Sequence, residues 1–169
     1  LTRSSAASDV YKRQDALSSM EKIENKDPRM QKAYQTIVYN RAVEQFHNRE
    51  YLKSKNSFEL VKKYPIDQEL NAMSQFWIAE CLYKVGDFKQ AIENYEKFRF
   101  SNGAVLTNEY SNLDFHIGYA YFNESSPYKK VYSSELKKQS IDLKNAIKYF
   151  RNYTHLSLIH ISEPTRPID

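Results

Sequence analysis

One cysteine, three glycines and five prolines are all that 169 residues hold of the types that staple, loosen or break a chain. A lone Cys81 rules out an intramolecular disulfide and says little about redox compartment. Gly86, Gly103 and Gly118 are the only glycines. Pro28, Pro65 and Pro127 fall between apolar-periodic stretches, where proline punctuates helices rather than interrupting them. So few breakers predict an all-α chain. There is no run of about 18 apolar residues, so no membrane-spanning helix is expected. Charge is nearly balanced, with 25 Lys+Arg against 21 Asp+Glu for a net +4. Nucleic acid asks for a concentrated basic face, and none is evident, so no nucleic-acid partner is expected.

The constellations that carry chemistry are also missing. His47, His116 and His155 never fall at i, i+3 or i+4 from one another or from Cys81. They cannot converge on a metal from one helix. Cys81 lies beside Leu82 with no base in its neighbourhood, so it reads as a small buried hydrophobe rather than a nucleophile. No glycine-rich phosphate loop occurs. The expectation is a chain without catalytic residues, metal or cofactor.

Both ends differ in character from the middle. Ser4–Gln14 (SSAASDVYKRQ) and Leu156–Arg166 (LSLIHISEPTR) resemble translated transposase adapters of sequencing libraries, over eleven residues each. Residues 1–14 and 156–169 are therefore expected to be adapter-derived, a disordered or helix-extending addition to the native segment 15–155. Without Arg3, Lys12, Arg13 and Arg166, and without Asp9, Glu163 and Asp169, that segment keeps 21 basic and 18 acidic residues, a net +3. Its Lys outnumber its Arg 16 to 5, as A/T-rich bacterial codon usage produces.

What the segment does contain is a repeat. Laid over residues 39–61, the stretch FWIAECLYKVGDFKQAIENYEKF at 76–98 puts Ala79 on Ala42, Tyr83 on Phe46, Phe88 on Tyr51, Ala91 on Ser54, Tyr95 on Phe58 and Phe98 on Val61, at a constant offset of 37. A third copy opens at 115–122, with Gly118 over Ala79, and closes at 143–153, with Ala146 over Ala91 and Phe150 over Tyr95. A partial copy at 16–28 sets Ala16, Met20 and Ile23 where Ala91, Tyr95 and Phe98 stand. Each copy reads as two amphipathic helices. Gly86 is free to take positive φ in the turn, and Asp87 is placed to cap the helix that follows. Small residues (Ala42, Ala79, Gly118; Ser54, Ala91, Ala146) let two helix backbones approach, and Phe58, Tyr95 and Phe150 fill the seam beside them. One such hairpin cannot bury its own apolar face, so neighbours must stack.

The motif AECLYKVGDFKQAIENYEKF resembles the tetratricopeptide repeat. That resemblance implies an α-solenoid of stacked antiparallel helix hairpins, divided as 15–28 (second helix of a truncated repeat), 29–67, 68–103 and 104–155, the last with an insertion at 123–142. Arg41 departs from the family's aliphatic preference. Val61, Phe98 and Tyr153 stand where it prefers alanine. Long spacings and bulky late positions look more like repeat proteins of bacterial cell envelopes, which places the chain in the periplasm or envelope rather than the cytoplasm.

The resemblance also implies that the first helix of each copy lines a concave groove: Tyr39, Val43 and Phe46, then Phe76, Glu80 and Tyr83, then Phe115, Tyr119 and Phe122. A protein or peptide is the expected partner, since aromatics supply contact area at low entropy cost. The basic clamp with which some members hold a carboxylate tail is missing, for Tyr39, Val43 and Trp77 occupy its positions. The alternatives are a structural or regulatory segment of a larger envelope or secretion assembly, and an accessory region of an enzyme whose catalytic domain lies elsewhere. The insertion (Lys129, Lys130, Lys137 and Lys138 around Tyr128 and Tyr132) is expected to be a surface loop with a short helix around 133–139. Met20 and Ile23 at one end, and Ile147, Phe150 and Tyr153 at the other, are expected to face absent repeats and to favour self-association.

Overall fold

The computed structural model describes residues 15, 17–125 and 133–162, with side chains of the last helix given over 140–155. Residues 1–14 and 163–169 of the adapter-like ends, Ala16, and 126–132 of the insertion lie outside the described residues, as do the side chains of Lys137 and Lys138. The described chain is helical without strands. Its helices are α1 (Pro28–His47), α2 (Tyr51–Val61), α3 (Gln68–Val85), α4 (Phe88–Arg99), a 3-10 turn (Ala104–Leu106), α5 (Asn108–Ser111), α6 (Leu113–Glu124) and α7 (Ser133–Ser162).

Local chemistry sets the boundaries. The Asp27 carboxylate accepts from the Met30 backbone N–H at 2.8 Å, and Pro28 occupies the first turn, where its missing N–H costs nothing. Asp67 caps α3 by accepting from Glu69 N and Leu70 N. That helix ends at Gly86 with φ 87°. Asp87 then accepts from Gln90 N to start α4, as its position predicts. Each such cap is worth about 1 kcal/mol.

Helices pack chiefly on their chain neighbours: α1 on α2, α2 on α3, α3 on α4, α4 on α6, and α6 on α7. The core is one cluster reaching from Leu17 to Ala120. Its narrow points are the expected small residues, since Ala42, Ser54, Ala79, Ala91 and Ala146 are all buried. The Ser54 hydroxyl donates to the Ala42 carbonyl at 2.8 Å, so even the polar member of the set is satisfied. Gln35, fully buried, ties α1 to the start of α3: its amide donates to Asp67 O and accepts from Asp67 N.

Two expectations change. The helix in 15–28 is a short segment over 17–21, with Leu17 buried and Ile23 exposed. The insertion does not close with a separate short helix. From Ser133 onward it belongs to α7, which continues unbroken through the repeat's second helix to Ser162. The 133–162 stretch has neither glycine nor proline to stop it.

Gly118 marks the closest approach. A Cβ there would stand 2.7 Å from Phe150 Cε1 and 2.8 Å from Cδ1. Alanine in a helix interior gains about 1 kcal/mol over glycine, while forcing a packed ring outward costs roughly 1–3 kcal/mol. The overlap wins. Gly118→Ala is expected to lose about 1 kcal/mol in urea unfolding, and to become stabilising in a Phe150→Ala background.

Candidate functional site

The nine positions on the three first helices meet three different environments. On α1, Tyr39, Val43 and Phe46 are half-buried. The Trp77 indole N–H of α3 donates to the Tyr39 hydroxyl at 3.0 Å. The Trp77 ring lies 4.8 Å from Phe46 and stacks at 7° on Phe58, with centroids 6.1 Å apart. This first triplet is therefore largely engaged by the next first helix.

On α3, the Phe76 ring is only 3% exposed, wedged among Trp77, Tyr95, Phe98 and His116. It offers no surface to a partner. Glu80 is likewise turned inward and accepts from His116 Nδ1 at 2.8 Å and from the Tyr95 hydroxyl. Tyr83 remains half-buried, its hydroxyl accepting from Asn123 Nδ2 at 2.7 Å. Only on α6 is the triplet open: Phe115 is 39% exposed, Tyr119 43% and Phe122 51%. Phe115 and Tyr119 pack edge to face at 4.7 Å, and Tyr119 meets Phe150 at 5.4 Å.

Glu80 is the electrostatic centre of the α3–α4–α6 junction. Burial raises its pKa, but hydrogen bonds from His116 and Tyr95, with the electrostatic pull of His116 and Lys84, outweigh burial and hold it below the ordinary 4.5. The same burial and the Glu80 charge push the Tyr95 hydroxyl far up, so it stays a donor. A carboxylate with a depressed folded-state pKa contributes stability that is full above its unfolded value and is lost as pH falls through the folded one. Glu80→Gln keeps an acceptor and removes the titration. The variant is expected to lose less stability than the parent between about pH 5 and pH 3, measured as urea midpoints across that range.

A second polar knot joins the same helices. The Arg99 guanidinium pairs with buried Asp114 and with Glu96 at 3.0 Å. Glu96 also accepts from the Tyr149 hydroxyl. Cys81 is buried, its thiol pushed up to about 11 by burial, and its sulfur lies 3.4 Å from Ser54 Oγ. Such a thiol is inert at neutral pH. His47 closes α1 and is exposed. Among the described residues no cluster of His, Cys, Asp and Glu is gathered for a metal, and no helix is long and apolar enough to cross a membrane.

Residue types alone did not single out Trp77 and His116 as seam fillers. They sit 39 residues apart, the same offset that relates Ala79 to Gly118. That shared place in the repeat was the available signal. Neither a family model, nor a curated protein, nor a solved structure matches this chain.

Proposed function

We propose that this chain is a tetratricopeptide-type α-solenoid, a non-catalytic scaffold that holds a protein partner on the face of its first helices, within a bacterial cell envelope. The observation that carries the reading is the run of Phe115, Tyr119 and Phe122 on one helix, each more than a third exposed. Large apolar rings gathered on one surface favour a partner over water. The neighbour-on-neighbour packing of successive helices and the offset of 37 between the first two hairpins support the solenoid. Exposed Leu143 and Ile147 on α7 widen the same apolar surface and support association through that end.

Immobilised chain should capture a specific protein from a bacterial envelope extract. Phe122→Ser, at the most exposed ring, is expected to weaken that captured complex by about 2 kcal/mol while leaving the thermal midpoint nearly unchanged. Capture that survives Phe122→Ser and Tyr119→Ser together would remove the α6 face from the reading.

A further inference from the structure

Two seams inside the molecule show what such a face accepts. In the first, α3 lays Trp77 among Tyr39, Phe46 and Phe58, and sets Cys81, one turn on, against Ser54. In the second, α6 lays His116 against Phe76 and Tyr95, with buried Ala120 one turn on. The incoming helix carries the same pattern each time: a planar ring, then a small residue four positions later. Both also bring a polar group two residues before the ring to a cation of the preceding helix, Gln75 to Lys62 and Asp114 to Arg99.

The last hairpin repeats the receiving half of this arrangement. Phe115 stands where Tyr39 and Phe76 stand, and Phe150 where Phe58 and Tyr95 stand. Phe58 and Tyr95 are shut from solvent by the helix that follows them, whereas Phe150 is only half-buried. Ile147 is 45% exposed where its counterpart Ile92 packs on the core. Among the described residues no further helix covers this face.

We infer that the α6–α7 face receives an α-helix of a partner protein, one bearing an aromatic or imidazole ring with a small residue four positions C-terminal to it. This rests on the scaffold reading and specifies its partner. The two features share a face only in a helix; in an extended chain the i and i+4 side chains stand well over 10 Å apart. Thr154 replaces Lys62 and Arg99 at the cation position, so an acidic or amide group before the ring is not required. A second copy of this chain fits poorly. The helix it would insert is α1, which carries Asn40 and Glu44 where α3 carries Trp77 and Cys81. The Trp77 and His116 rings of a second copy are already engaged in its own seams.

The chain supplies its own probe. A fluorescein-labelled peptide of residues 67–86 keeps the Asp67 cap, Trp77 and Gly86, with Cys81→Ala retaining a small side chain without oxidation. Fluorescence anisotropy against the full chain should show saturable binding. Trp77→Ala or Ala79→Pro in the peptide should each weaken binding about tenfold or more, the first by removing a hot-spot ring and the second by breaking the helix. Ile147→Glu in the chain should do the same with unchanged circular dichroism. Equal binding of the proline peptide would overturn the helix, and equal binding of the alanine peptide would overturn the ring. No binding up to about 1 mM would overturn the inference as a whole. Sedimentation showing self-association abolished by Ile147→Glu would make a second copy the occupant instead, and overturn it too. The scaffold reading fails separately, through the Phe122→Ser and Tyr119→Ser capture experiment.

Discussion

Tyr95→Ala is expected to cost about 4 kcal/mol of unfolding free energy, with Tyr95→Phe costing about 1–2 kcal/mol. The ring is 1% exposed and packs on Phe76 at 5.8 Å and His116 at 5.7 Å. Removing it opens a cavity where α3, α4 and α6 meet, with no side chain placed to collapse into it. The hydroxyl alone donates to Glu80, a buried carboxylate that then keeps only His116 as a hydrogen-bond donor. Loss of one charge-assisted bond is the smaller term, and the ring should dominate. Urea unfolding of both variants separates the two. A phenylalanine variant as unstable as the alanine one would place the stability in the Glu80 network instead.

The same junction shows what periodicity can and cannot reveal. Small residues at a fixed place in each copy predict where backbones approach, because nothing larger than Ala79 or Gly118 fits there. The structure places all of them in the core. Asp87 and Gly86 were equally legible, since capping and positive φ are local demands met by few residue types. Phe76 and Glu80 were not. Their stripe marks them as facing inward from α3, but whether that side is a groove or a seam depends on the helix 39 residues on. His116 supplies the answer by taking Glu80 as its partner, a tertiary choice with no local signature. The insertion was hidden differently. Reading 123–142 as extra to the repeat drew attention to its length and away from the absence of any breaker after Pro127, which is what lets α7 begin at Ser133.

Truncating one repeat position in three copies should therefore give unequal results. Tyr39, Phe76 and Phe115 share a place in the pattern. Phe76→Ala is expected to cost roughly 3–4 kcal/mol, because four rings surround a side chain that is 3% exposed and the vacated space is enclosed. Tyr39→Ala should fall between, about 2 kcal/mol, losing the edge contact with Phe58 and leaving the Trp77 N–H without its acceptor. Phe115→Ala should cost about 1 kcal/mol or less, since water already reaches much of its ring. A follower helix is the variable that differs among the three, so the order measures cover rather than residue type. If a partner helix occupies the open face, adding it should raise the cost of Phe115→Ala toward that of Phe76→Ala, because only then is the third ring shut from water. Thermal unfolding of the three variants, alone and with saturating 67–86 peptide, reads both statements at once. Three equal losses in the free chain would mean that the last face is already covered, and the site would have to be sought elsewhere.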